Sequence, residues 1–134
     1  VVYVNNAVFG ATAGQQAPTT LIGQATTSYP AGRDAKESGY PLRMAEMLSV
    51  IAPESYIARV SVHDVAHILK AKKAIRKAFT VQMEGRGFGM VEILAACPTN
   101  WRMDPLRAME KIKSDMIGYY PLGEFSAVPK ELRR

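Results

Sequence analysis

Three short runs of apolar and β-branched residues limit what this 134-residue chain can fold into. Val1-Val2-Tyr3-Val4 has no polar alternation and reads as a strand buried on both faces. Residues 55–62, SYIARVSV, read as a strand by their β-branched and aromatic content. Residues 88–96, FGMVEILAA, read as another buried strand. Segments of helical spacing lie between and after these runs. Alternation of this kind predicts an α/β fold with a parallel sheet and right-handed crossovers. Parallel strands are expected at 1–5, 55–62 and 88–96. Asn6 and Cys97 should then sit at carboxyl ends of strands on the same edge.

The helices follow from periodicity. Leu42, Met44, Ala45, Met47, Leu48 and Ile51 give a short apolar stripe, with Pro41 suited to its first turn. Val65, Ile68, Leu69, Ile75, Phe79 and Met83 recur at helical spacing, with Ala71, Ala74 and Ala78 beside them. Ser61 or His63 could cap this long helix, which should stop near Gly85-Arg86-Gly87. Asp104 caps a last helix with Pro105 at its first position. Leu106, Met109, Ile112, Met116 and Ile117 are expected on its inner face. The tail from Tyr119 to Arg134 reads as mostly irregular. Residues 21–41 lack periodicity and form a long connection, and long loops in compact domains are usually functional or disordered. No repeat and no second domain is visible, so residues 1–134 are expected to form a single domain. The chain opens at Val1, in what reads as a central strand, which suggests the carboxyl half of a longer protein.

The first strand runs into Asn5-Asn6 and then a small-residue loop through Gly10, Ala11, Thr12, Ala13, Gly14 and Gln15. In open α/β sheets, ligands bind outside the carboxyl ends of strands. Glycine permits positive φ and close backbone approach. Asparagine offers neutral oxygens that suit a hard cation such as magnesium. Read alone, Asn5-Asn6 is more readily a turn.

Other features admit plainer readings. The formal charge of +5 could attract an anionic partner, but no nucleic-acid motif accompanies it. Lys70, Lys72, Lys73, Arg76 and Lys77 read as a solvated helix face. His63 and His67 in HDVAH have the spacing of a zinc protease helix, but with Asp64 where that motif carries glutamate. Capping and solvation explain both histidines better. Cys97 stands alone, so no internal disulfide can form and a cytoplasmic setting is expected. No apolar run approaches the roughly 20 residues of a membrane span.

The segment Val4-Asn5-Asn6-Ala7-Val8-Phe9-Gly10, followed by Thr12-Ala13-Gly14-Gln15 and Ala17-Pro18-Thr19-Thr20, resembles half of a thiamine-diphosphate site. The resemblance is to the beta subunit of 2-oxoacid:ferredoxin oxidoreductases, nearest the 2-oxoisovalerate and 2-oxoglutarate branch. It continues through Thr26-Thr27, Tyr29-Pro30, Gly32-Arg33-Asp34, Ser61 to Asp64, Gly87-Phe88, Val91-Glu92, Cys97 to Trp101 and Tyr120 to Gly123. Phe9, Ala11 and Ala13 depart from the family pattern. The resemblance implies a three-layer, mainly parallel sheet of the thiamine-diphosphate-binding type, here its carboxyl half. It implies oxidative decarboxylation of a 2-oxoacid with coenzyme A and ferredoxin, in company with alpha and gamma subunits, and neither membrane nor nucleic acid as partner. Asn6 and the Val8 carbonyl would hold magnesium. Asn5, Asn6, Val8, Gly10, Ala11, Thr12, Gly14 and Gln15 would line the cofactor. Cys97 would give one thiolate to a [4Fe–4S] cluster, which needs four. The family's other magnesium ligand is the aspartate of a Gly-Asp-Gly motif, which this sequence does not contain. No catalytic residue is assigned. The alternative is a noncatalytic α/β interaction module using its basic helix on an acidic partner or nucleic acid.

Overall fold

The sheet is built around its third strand. In the computed structural model, which describes residues 1–125, β3 (Gly89–Leu94) is buried at every position. It has parallel neighbours on both sides. β1 (Val2–Asn5) pairs with it from Val2 opposite Val91 to Asn5 opposite Leu94. β2 (Tyr56–Ser61) pairs from Tyr56 opposite Gly89 to Ser61 opposite Leu94. A strand flanked in this way has both faces under helices, which explains its run of apolar residues. The sheet order is β1-β3-β2-β4. β4 (Gly123–Phe125) lies antiparallel on β2, within the tail expected to be irregular. The remainder of that tail, 126–134, lies outside the described residues.

β1 corrects one expectation. It lies at an edge of this sheet, and Val2 and Val4 are 46% and 57% exposed. They are level with Val91 and Ile93, on the face covered by α3 (Val65–Met83), but the helix packs its buried residues on β2 and β3.

α3 packs by its small residues. Ala71, Ala74, Ala78 and Val81 are buried, whereas Val65, Ile68, Leu69, Phe79 and Met83 point outward. The alanines bring the helix backbone against the strand: a Cβ on Gly89 would lie 2.9 Å from the Ala78 carbonyl oxygen. The helix is capped by Asp64, not by Ser61 or His63, with the carboxylate accepting from the His67 amide. It stops at Met83, followed by Gly85 at φ +65°.

The opposite face carries the third layer. α1 (Ala35–Ser38) is a single turn inside the long loop, and α2 (Met44–Ile51) packs Ala45 against Ile57 and Met90. Pro41 falls two residues before the α2 N-cap, Arg43, outside the first turn, and Met47 and Ile51 face outward. After β3 come α4 (Pro98–Trp101), α5 (Pro105–Lys111), a π-helical segment (Ile112–Met116) and α6 (Ile117–Tyr119). Asp104 caps α5 with Pro105 at its first position, as expected. Ala108, Ile112 and Met116 line the inner face, while Leu106 is exposed. Leu94, Ile112, Met116 and Tyr120 join Ala7 and Leu21 in one cluster, which fastens the long loop to this layer. No helix among the described residues is long and apolar enough to cross a membrane.

Candidate functional site

The turn after β1 is fixed by its two asparagines in different ways. Asn5 is buried; its Nδ2 donates to Glu92 Oε1 at 2.8 Å and its Oδ1 accepts from the Ala7 amide at 3.1 Å. Asn6 is only half-buried. Its Oδ1 accepts from the Val8 amide at 3.3 Å and its carbonyl accepts from Trp101 Nε1 at 3.0 Å. Ala7 between Asn6 and Val8 has φ +56°, a left-handed conformation that a residue with a Cβ rarely adopts. Its carbonyl accepts from Thr20 Oγ1 at 2.7 Å and from Gln24 Nε2 at 3.1 Å. Over-determined backbone of this kind clusters at functional sites.

The loop beyond is closed by Phe9 and Gln15, whose backbones bridge: the Phe9 amide donates to the Gln15 carbonyl at 3.0 Å. Between them Gly10–Thr12 make a 3₁₀ turn, and Ala13 and Gly14 follow at φ +79° and +82°. Ala11, Thr12 and Ala13 are exposed at its tip, where Thr12 Oγ1 donates to Gln15 Oε1 at 2.7 Å. Gln16 Oε1 is the one buried side-chain oxygen or nitrogen among the described residues without a hydrogen-bond partner.

Cys97, following β3, meets this loop. Asn100 Nδ2 donates to the Gly10 carbonyl at 3.0 Å and to Cys97 Sγ at 3.1 Å. A Cβ on Gly10 would lie 3.2 Å from Asn6 Nδ2 and 3.3 Å from Cys97 Sγ; one on Gly14 would lie 2.9 Å from Asn100 Oδ1. Asn6 and Cys97 therefore share the carboxyl edge of the sheet, as the strand order predicts. Asn100 joins Cys97 to the Gly10 loop, and no local periodicity marked it, because its partner carbonyl is 90 positions away.

Beneath the turn lies a buried charge network. Arg59 and Glu92 are fully buried on neighbouring strands, with Nε 2.8 Å from Glu92 Oε2. Arg59 also makes a fork with Glu46 of α2, at 2.9 Å and 2.5 Å. Burial pushes the Glu46 carboxyl up, but the Arg59 hydrogen bond and charge outweigh it and hold it below the usual carboxylate range. Burial lowers and the two carboxylates raise the Arg59 guanidinium, with the carboxylates prevailing. Arg33 does comparable work in the long loop. Its buried guanidinium donates to six carbonyls, those of Ala17, Pro18, Thr20, Ser38, Gly39 and Tyr40. Charges inside apolar strands could have flagged Arg59 and Glu92, since buried charges must be paired.

The donors at this edge fit part of a hard-cation site. Asn6 Oδ1 and the Val8 carbonyl are neutral oxygens, and the Val8 carbonyl accepts no backbone hydrogen bond among the described residues. Residues 5–15 include no carboxylate. Glu92 beneath the turn is engaged by Asn5 and Arg59. The opposing negative charge would have to come from elsewhere.

At the start of α3, His63 and His67 stand beside Asp64, with ring centroids 4.2 Å apart. Burial and the neighbouring His67 depress the His63 pKa, against the pull of Asp64. The basic side chains of α3 are exposed, with Lys77 paired to Glu124 at 2.8 Å.

No family model and no solved structure matches the chain. Curated proteins do. The ketoisovalerate oxidoreductase subunit VorA of Methanothermobacter marburgensis is 45% identical over 93% of this chain and 26% of its own length. The 2-oxoglutarate synthase subunit KorB of Archaeoglobus fulgidus is 32% identical over 85% of this chain and 38% of its own. The 2-oxoacid:ferredoxin oxidoreductase subunit beta of Saccharolobus solfataricus is 31% identical over 74% of this chain and 28% of its own. The chain thus spans between about a quarter and two fifths of these relatives. Across most of its length, the chain is homologous to one segment of the subunits of 2-oxoacid:ferredoxin oxidoreductases.

Proposed function

We propose that this chain forms the carboxyl half of the thiamine-diphosphate-binding domain of a 2-oxoacid:ferredoxin oxidoreductase. The reaction is oxidative decarboxylation of a 2-oxoacid with coenzyme A, giving acyl-coenzyme A and carbon dioxide while ferredoxin takes the electrons. The setting is the cytoplasm, and the partners are the alpha and gamma subunits and ferredoxin. The observation that carries this reading is the meeting of Asn6, Gly10 and Cys97 at one carboxyl edge, in a chain whose relatives bear such names. When bound, thiamine diphosphate supplies the electron sink for the carbon left by decarboxylation.

This chain's residues hold and orient. Asn6 Oδ1 and the Val8 carbonyl give neutral oxygens to magnesium. Asn5, tied to Glu92 and the Ala7 amide, fixes the turn that aims them. Gly10, Ala11, Thr12, Gly14 and Gln15 form the floor, with Gly10 and Gly14 leaving room for Asn6, Cys97 and Asn100 to pack against the loop. Cys97 offers its sulfur beside Gly10 as an iron ligand, which would put a cluster next to the cofactor floor. The basic-helix alternative finds no support in the relatives.

The test uses the assembled oxidoreductase. Asn6→Ala should weaken magnesium-dependent thiamine-diphosphate binding by at least the roughly tenfold lost when a metal site loses a supporting contact. Cys97→Ser should lower iron and sulfide content and change the cluster's EPR spectrum, since a hydroxyl is a poor iron ligand. Calorimetric affinity and iron content equal to the parent enzyme would overturn these roles.

A further inference from the structure

Where β2 runs into α3, three side chains converge around one point. His63 is almost buried; its Nδ1 lies 2.8 Å from the hydroxyl of the fully buried Ser61, and its Nε2 lies 3.2 Å from Asp64 Oδ2. His67 Nδ1 lies 2.8 and 2.9 Å from the two Asp64 oxygens. No other three such residues among the described ones bring their ligand atoms within 4.8 Å of one another.

We propose that His63, Asp64 and His67 bind a divalent transition-metal ion of the zinc, cobalt or nickel class. Two imidazole nitrogens and one carboxylate oxygen suit these borderline ions, whereas magnesium and calcium take oxygen. The surroundings are those of a metal-binding histidine. Such a histidine usually has its second ring nitrogen held by an outer hydrogen bond that sets its orientation and tautomer. Ser61 holds His63 Nδ1 in this way and turns Nε2 toward Asp64. Nε2 then faces a carboxylate oxygen, a contact that a proton or a metal ion must bridge. Asp64 Oδ1 accepts from the His67 amide at the helix cap, which fixes the carboxylate between the rings and leaves Oδ2 for the ion. In the zinc protease helix the carboxylate next to the first histidine is a base; here it stands among the ligands. Asp64 and His67 retain 47% and 24% exposure, so water completes the coordination.

The experiment uses the protein at its full natural length, stripped by chelator and kept in excess magnesium to fill hard-oxygen sites. Calorimetric titration with zinc should show a site of micromolar or tighter affinity, and cobalt should give visible ligand-field bands. Zinc should shield His63 and His67 from diethylpyrocarbonate, read by peptide mass spectrometry. His67→Gln keeps the backbone amide that Asp64 caps, and should weaken zinc binding at least about tenfold. Wild-type protein whose two histidines react equally with and without zinc would overturn the proposal. So would a folded His67→Gln variant that binds zinc as tightly as its parent. These readouts do not depend on thiamine diphosphate, so they stand or fall apart from the proposed activity.

Discussion

At Arg59, a guanidinium with no exposure is held by Glu92, itself without exposure, and by the partly exposed Glu46. Such a pair is weak evidence for stability, but its rupture is costly because one charge stays buried. Glu92→Leu should therefore cost about 3 kcal/mol or more, and should also free Asn5 Nδ2 from its acceptor. Urea unfolding measures this, and an unchanged midpoint would contradict the network. Adding Arg59→Met should recover much of the loss, since both buried charges are then gone. Glu46 gives the pH dependence. Its folded-state pKa is depressed by Arg59 despite burial. The stability it contributes is therefore present above the ordinary carboxylate range and is lost as pH falls through its lowered value. Glu46→Gln should flatten the acid side of the stability profile, from the ordinary carboxylate range downward; an acid limb as steep as the parent's would count against the pair. Arg59 and Glu92 were legible as charges within apolar runs. Arg33 was not, because its six acceptors are backbone carbonyls of a loop whose path no local periodicity sets.

At the scale of elements, strand identity was written in composition and side-chain orientation was not. The expected strands match β1, β2 and β3 to within a residue or two, because β-branched runs in alternation with helices leave few other arrangements. α3 reads differently. Large apolar residues recur along it, yet the sheet takes the alanines, which let the helix backbone approach Gly89. Helical period alone cannot tell which of two apolar faces turns inward; that depends on how closely the partner strand approaches. Ala78→Leu should accordingly overpack this interface and cost about 1–3 kcal/mol. Phe79→Ser, one residue on and facing outward, should change stability by no more than about 0.5 kcal/mol. Thermal unfolding of the two variants compares them directly. If Phe79→Ser is the more damaging, the helix is rotated so that Phe79, and not Ala78, faces the sheet.

For the whole molecule, the meeting of residues from opposite ends of the chain follows from topology. Parallel order puts the ends of β1 and β3 side by side, so Asn6 and Cys97 share one edge. The side gathered there is neutral. It has amide and carbonyl oxygens and a thiol, while its nearest buried carboxylate, Glu92, is spent on Arg59 and Asn5. Magnesium holds its waters unless well-placed oxygens replace them, and a diphosphate adds negative charge that the cation must bridge. In the resembled family an aspartate in Gly-Asp-Gly completes the set, and these 134 residues contain no such motif. The expected outcome is that this chain, prepared alone, binds magnesium and thiamine diphosphate only weakly and turns over no 2-oxoacid. In an assembly that supplies the aspartate, the same residues should bind the cofactor tightly. Calorimetric titration of thiamine diphosphate with magnesium into the isolated chain decides the matter. Micromolar or tighter binding there would mean that Asn6, Val8 and the Gly10–Gln15 loop suffice. The carboxylate would then be unnecessary, and the division of the site between this edge and another segment would be wrong.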